Sequence, residues 1–198
     1  NKTMACEGLL TDDILNDCDN AMVGGLEVDA LFFNTADIDK TATTFHATKK
    51  TLMTNFALKA GKTGLLIEGI KQVHALKSEL VKKEMSQDKW KNTFAGVILQ
   101  ISTDNKERLL EMSQGANVAV VVQLKWKGAS NADAFQLAGY DCGMELQEAA
   151  WASNENDGTW GFTLASVEGY EETRPLITIL ETDYATTLTA FNNKFASA

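Results

Sequence analysis

The sequence predicts a β-rich α+β fold: an antiparallel β-sandwich or barrel with a long hairpin and two short helices, one of them C-terminal. Three observations carry this. Residues 118–122, Val-Ala-Val-Val-Val, are apolar on both faces and too short a run for a helix, the pattern of a strand at the centre of a sheet. Asp157-Gly158, between two apolar segments, is a hairpin signal because its backbone can adopt positive φ. Tyr184, Leu188, Phe191 and Phe195 recur at spacings of 4, 3 and 4, which makes one apolar helical stripe started by Thr182 or Asp183.

The remaining elements follow in chain order. After an irregular start over about 1–24, Gly24-Gly25 leads into a strand at 26–33, where Leu26, Val28, Ala30 and Phe32 alternate with Glu27 and Asp29 before both faces turn apolar. The polar run 34–40 turns the chain, 45–58 holds short strands, and 59–64 is a turn. In 65–83, Ile70, Val73, Leu76 and Leu80 approach helical spacing while Leu66-Ile67 and Val73 also fit an extended segment, so periodicity leaves both open. Residues 90–102 read as a strand on Phe94 and the β-branched Val97, Ile98 and Ile101. Asp104 and Glu107 resemble a capping box that opens a helix at 105–114, closed by Gly115. Further strands are expected at 118–126, 134–149, 159–167 and, after Pro175, 176–181.

With 198 residues, 44% hydrophobic and 23% charged composition and a single proline, the chain can bury one sizeable core, and no Pro-rich or Ser-rich linker or internal repeat divides it. The expectation is one domain over 1–198. A net charge of −9 opposes phosphate backbones, so tight nucleic-acid binding is not expected. The lysines of 77–91 alternate with Glu79, Glu84 and Asp88, which reads as a solvated face. Three cysteines, Cys6, Cys18 and Cys142, make an odd count without a CxxC pair, which suits a reducing compartment, although a Cys6–Cys18 bridge stays open. Residues 1–5 do not read as a leader, and no long apolar run suggests a membrane span, so cytoplasmic synthesis and no membrane partner are expected.

Motifs of chemistry are weak throughout. His46 and His74 lie on different segments without a neighbouring ligand, so no metal or cofactor is expected and no catalytic residue is assigned. Ala60-Gly61-Lys62-Thr63 looks like the end of a phosphate-binding loop, but Phe56 replaces the earlier glycine, and a turn with an exposed lysine is the better reading. In the acidic turn 153–158, Ser153 stands at the first calcium-ligand position and Leu164 where a glutamate is needed. The carboxylate pairs Glu171-Glu172 and Glu27/Asp29 read as surface solvation. The chain is thus expected to work by assembling with protein subunits and not as an enzyme.

Taken together, Gly24-Gly25-Leu26-Glu27 opening the first strand, the long 64–102 segment, the helix after Asp104, the AGYDCGMEL stretch at 138–146 and the NDG turn at Asn156 resemble the tail-tube proteins of tailed bacteriophages and the inner-tube proteins of contractile injection systems. The resemblance implies a virion structural protein, made in the cytoplasm of an infected bacterial host, whose copies join into rings stacked as a hollow tube. Its partners would be copies of itself and other virion proteins, with DNA passing as non-specific cargo through an acidic lumen. It also implies a projecting hairpin over about 70–101 with its tip near 85–89, which makes Val73, Leu76, Leu80, Met85, Trp90 and Phe94 the candidate subunit interface. The stripe Tyr184, Leu188, Phe191 and Phe195 is expected to pack on the chain's own sheet.

Two alternatives stay open. A head-tail connector or capsid decoration protein would share the acidity and the β-rich pattern, and only the form of assembly separates them from a tube. From a different class, Trp90, Trp126, Trp151 and Trp160 could serve a carbohydrate- or receptor-binding module as stacking platforms.

Overall fold

The computed structural model describes Leu10 and residues 12–197. In chain order it holds β1 (Leu26–Asn34), β2 (Thr44–Phe45), β3 (Leu52–Asn55), β4 (Leu65–Ile67), β5 (Ala75–Val81), β6 (Lys89–Ile98), α1 (Thr103–Ser113), β7 (Val118–Leu124), β8 (Phe135–Ala138), β9 (Glu145–Trp151), β10 (Trp160–Ala165), β11 (Ile177–Ile179) and α2 (Tyr184–Asn192). A seven-stranded sheet of order β2-β3-β11-β8-β7-β1-β4 packs against a four-stranded sheet of order β5-β6-β10-β9, a β-sandwich-like α+β fold. Pairing is antiparallel except for β11 with β3, which run parallel.

The larger sheet is covered on both faces, which is why β7 is apolar on both. Val118, Val120 and Val122 share one cluster with Ala30 and Phe32 of β1, Phe94 of β6, Phe162 and Leu164 of β10 and Leu109 of α1. Ala119 and Val121 belong to a second cluster with Leu31 and Phe33, Phe135 and Leu137, Ile177 and Ile179. On that side the cover is α2 and the chain after it. Phe191 and Phe195 are buried there, with Tyr184 and Leu188 packed alongside. Phe191 lies 5.2 Å from the Phe135 ring, and Phe195 meets Phe33 edge-on at 5.9 Å. Asp183 caps α2 by accepting from the Thr186 N–H at 2.7 Å. Phe195 reaches the core differently from a continuing helical stripe. The helix ends at Asn192, and positive φ at Lys194 and Phe195 turns the ring back under it.

Several boundaries differ from the sequence reading for local reasons. The 65–83 segment is extended, as β4 and the first arm of a β5–β6 hairpin. Ser102, not Asp104, caps α1, because its hydroxyl is the one that accepts the Asn105 N–H, at 3.1 Å. A register irregularity between Leu26 and Ala30 leaves Val28 exposed, off the core-facing alternation. The 134–149 segment is two strands in two sheets, broken where Gly139 and Gly143 take positive φ. A Cβ at Gly143 would overlap the Asn117 side chain, so this switch between sheets requires glycine. A Cys6–Cys18 bridge lies outside the described residues, and Cys18 is a free, exposed thiol.

His74 is the isolated buried titratable group of this core. Neither ring nitrogen has a hydrogen-bond partner, and its ring lies 5.5 Å from that of Phe94. Burial pushes its pKa below the ordinary 6.5, with Asp29 opposing more weakly. Below pH 6.5 the unfolded chain therefore takes up a proton that the fold resists, and stability falls as pH drops toward the lowered value. Replacing His74 by Leu is expected to flatten the melting-temperature profile between about pH 7 and 5. A tenfold difference in proton affinity between the folded and unfolded chain corresponds to roughly 1.4 kcal/mol. Parallel profiles for the two proteins would contradict this.

Candidate assembly surface

The four-stranded sheet is finished on one face only. Phe94, Phe162 and Leu164 point into the core, so by alternation Thr93 and Ala95 on β6 and Gly161 and Thr163 on β10 face outward, level with Ala75 and Lys77 on β5 and Glu148 and Ala150 on β9. Neither hydrophobic cluster includes a residue of this face, and the 70–73 segment lines a groove at its Val97–Gly161 end. The face's side chains are small along the middle, and its charges are Lys77, Lys89 and Lys91 against Glu79, Glu145 and Glu148. Both edges are open as well. β5 pairs only with β6 and β9 only with β10, so two seven-residue strands each present an unpaired row of backbone donors and acceptors.

The β5–β6 hairpin extends past the end of β10, whose pairing stops at Thr93. Beyond that point it is held by Ser166, which exchanges hydrogen bonds with Asn92, and by two buried acidic residues, Glu171 and Glu172. The Trp90 N–H donates to the Glu172 carbonyl at 2.8 Å and the Glu172 N–H returns to Trp90 at 2.9 Å. The Glu172 carboxylate accepts the N–H groups of Asp141 and Cys142 at 2.8 Å and of Gly143 at 3.2 Å. One residue thus ties β6, through its backbone, to the 139–144 crossover, through its carboxylate. Burial pushes the Glu172 carboxyl up despite these three donors. Lys83 donates to Glu171 at 2.7 Å and holds that carboxyl below its usual range. Next to them Arg174 bonds Asp141 at 3.0 Å and lies over the Phe45 ring at 4.5 Å. Burial opposes ionisation of Asp141, but Thr173 and Arg174 outweigh it and its pKa falls. The solvated reading of Glu171-Glu172 is therefore corrected: adjacent carboxylates in a polar stretch carry no sign of the backbone donors that a distant loop supplies.

The residues assigned to the hairpin interface differ in burial. Phe94 is fully buried and Leu76 packs against the same cluster, so both serve the chain's own core. Leu80 is 45% and Met85 100% exposed, at and beyond the end of the sandwich. Trp90 is half-buried at the Glu172 bridge. Val73 lines an open groove of about 440 Å³ with Ile70, Val97, Leu99 and Thr159. Glu27 lies 3.5 Å from Lys127, and Asp29 accepts the Gly69 N–H at 3.2 Å. His46 is exposed and accepts local backbone N–H groups, and Lys62 pairs with Asp37 at 3.0 Å across the 59–64 turn. Burial and the Glu172 and Asp141 charges push the Cys142 thiol up, away from thiolate reactivity.

No group of three or more His, Cys, Asp or Glu side chains that could hold a metal ion occurs among the described residues, and no described helix is long and apolar enough to cross a membrane. Comparison of the chain with protein-family models, curated proteins and solved structures finds no match. Replacing Glu172 by Gln keeps its size but sets an amide N–H₂ against backbone donors. The expected cost is roughly 1–3 kcal/mol in denaturant unfolding, with faster amide exchange confined to 141–143 and 89–91. An unchanged midpoint would remove Glu172 as the hairpin's anchor.

Proposed function

We propose that the chain is a virion structural protein that assembles with its own copies into rings, stacked as the tube of a phage tail through which DNA passes. The observation that supports this best is the four-stranded sheet with two open edges and an uncovered face. An edge strand on each side allows β5 of one copy to pair with β9 of the next. Such a contact is heterologous, and where its rotation closes it makes a ring that removes every exposed edge of that sheet. The small side chains of the uncovered face would then line the bore. This face carries as many lysines as glutamates, so passage of DNA rests on a charge-balanced lining without base-reading groups, and the chain's acidic excess lies elsewhere. Other virion proteins would start and end the stack.

A second reading has one observation behind it. Trp151 is 45% exposed, stacked 6.2 Å from Trp160 and fixed by its Nε1–H donating to the Gly158 carbonyl at 3.0 Å, the arrangement of an aromatic platform for a sugar ring. Glycan-array binding that is lost on replacing Trp151 by Ala would favour a carbohydrate- or receptor-binding module.

The tube reading is tested by light scattering after size exclusion and negative-stain microscopy across concentration. Hollow tubes or stacked rings are expected. A closed ring of fixed size would instead favour a connector, and a monomer or trimer a decoration protein. Ala150→Lys, at the exposed β9 edge, is expected to block assembly while changing stability by no more than about 0.5 kcal/mol.

A further inference from the structure

Five of the fourteen exposed large hydrophobic side chains among the described residues precede β1. Leu10, Ile14, Leu15, Met22 and Val23 are 82%, 88%, 83%, 74% and 55% exposed. Residues 12–24 form no strand or helix, and the side-chain bond that fastens them to the body runs from Trp126 Nε1–H to the Asn20 carbonyl at 2.9 Å. The arm carries four aspartates and no lysine or arginine over 10–24. A solvated acidic linker would not need these large apolar side chains, which cost free energy in water unless something covers them.

The complementary surface lies on the same molecule but at its other end. Over 75–91, the hairpin itself, five lysines face three acidic residues in a chain of net charge −9. Lys89 and Lys91 form no ion pair among the described residues, whereas Lys77, Lys82 and Lys83 do. Met85, 100% exposed at the hairpin tip, supplies apolar surface next to them in the chain. The arm joins the body where the Lys125 N–H donates to the Gly25 carbonyl, just past the Leu124 end of β7. The hairpin is anchored through Glu172 to Cys142 and Gly143, which adjoin the Met144–Val118 bridge at the opposite end of β7. The two surfaces therefore sit at opposite poles, roughly 20 Å apart along the strand alone. A fully extended arm of fifteen residues reaches about 50 Å, more than the diameter of about 40 Å expected for a domain of this size.

We infer that the arm of one copy docks on the β5–β6 hairpin of the next copy along a polar stack, its aspartates on Lys89 and Lys91 and its Ile14-Leu15 pair over Met85 at the hairpin tip. This rests on the self-assembly reading and assigns the contact between successive rings. It leaves the β5 backbone edge to the neighbour within the ring. Arm to hairpin is again a heterologous contact, which propagates along an axis without closing.

Sedimentation across concentration of the full chain and three variants tests it. D12K/D13K and K89E/K91E are each expected to raise the concentration at which stacks form by about tenfold or more. Carrying both reversals in one chain should restore assembly to within about threefold of the original. The arm's few bonds to the body mean that D12K/D13K should melt as the unaltered chain does. If the unaltered chain stacks and either variant stacks equally well, or the combined chain is no better than its parents, the arm contact is overturned while self-assembly stands. An unaltered chain that stays monomeric at every concentration overturns both.

Discussion

The rest of the structure depends on the need to cover the seven-stranded sheet on both faces. β7 alternates Val118, Val120 and Val122 toward one cluster with Ala119 and Val121 toward the other, and all five are fully or nearly fully buried. Burying large side chains on both sides stabilises each by roughly 1.5–3 kcal/mol, but it obliges the chain to provide two covers. The short C-terminal helix with Phe191 and Phe195 is one, and the four-stranded sheet is the other. That second sheet gives its single apolar face to the core. Its outer face and its two edges are left over, and these are the surfaces on which the proposed assembly rests.

The crossover at 139–144 makes this arrangement possible, and it concentrates the chain's buried charge. The strands β8 and β9 belong to different sheets, so the backbone between them must turn sharply at Gly139 and Gly143 and satisfy its N–H groups away from any ladder. Glu172 does so, and through its own backbone it also holds Trp90 at the base of the hairpin. Lys83 on Glu171 and Arg174 on Asp141 complete a polar strap around the junction. The position of the hairpin relative to the sandwich is thus coupled to the same residues that let the chain change sheets.

Much of the fold is legible in the sequence because it follows from periodicity. The two-faced apolar run at 118–122, the 4-3-4 stripe and the Asp157-Gly158 turn each carry a local signal, and the structure places a central strand, a C-terminal helix and a positive-φ turn there. The 65–83 segment cannot be resolved from pattern, since Val73, Leu76 and Leu80 satisfy either period until β6 is available as a pairing partner. The split of 134–149 is hidden for a related reason: polar residues in a strand that changes sheets look like one longer strand. The assembly surface is legible only in part. The family resemblance marks Leu80 and Met85, but it does not separate them from Phe94, whose burial is decided by a sheet far away in sequence. Glu172 escapes sequence reading because its partners are backbone groups about thirty residues earlier, which no side-chain pattern records.

The central claim, that copies join through the edges of the four-stranded sheet, is tested most directly by amide hydrogen exchange at concentrations below and above assembly. Exchange in β5 and β9 should slow markedly on assembly while β7, already buried between two layers, stays unchanged. Equal exchange of β5 and β9 in the dispersed and assembled states would contradict the account and leave those edges open to solvent.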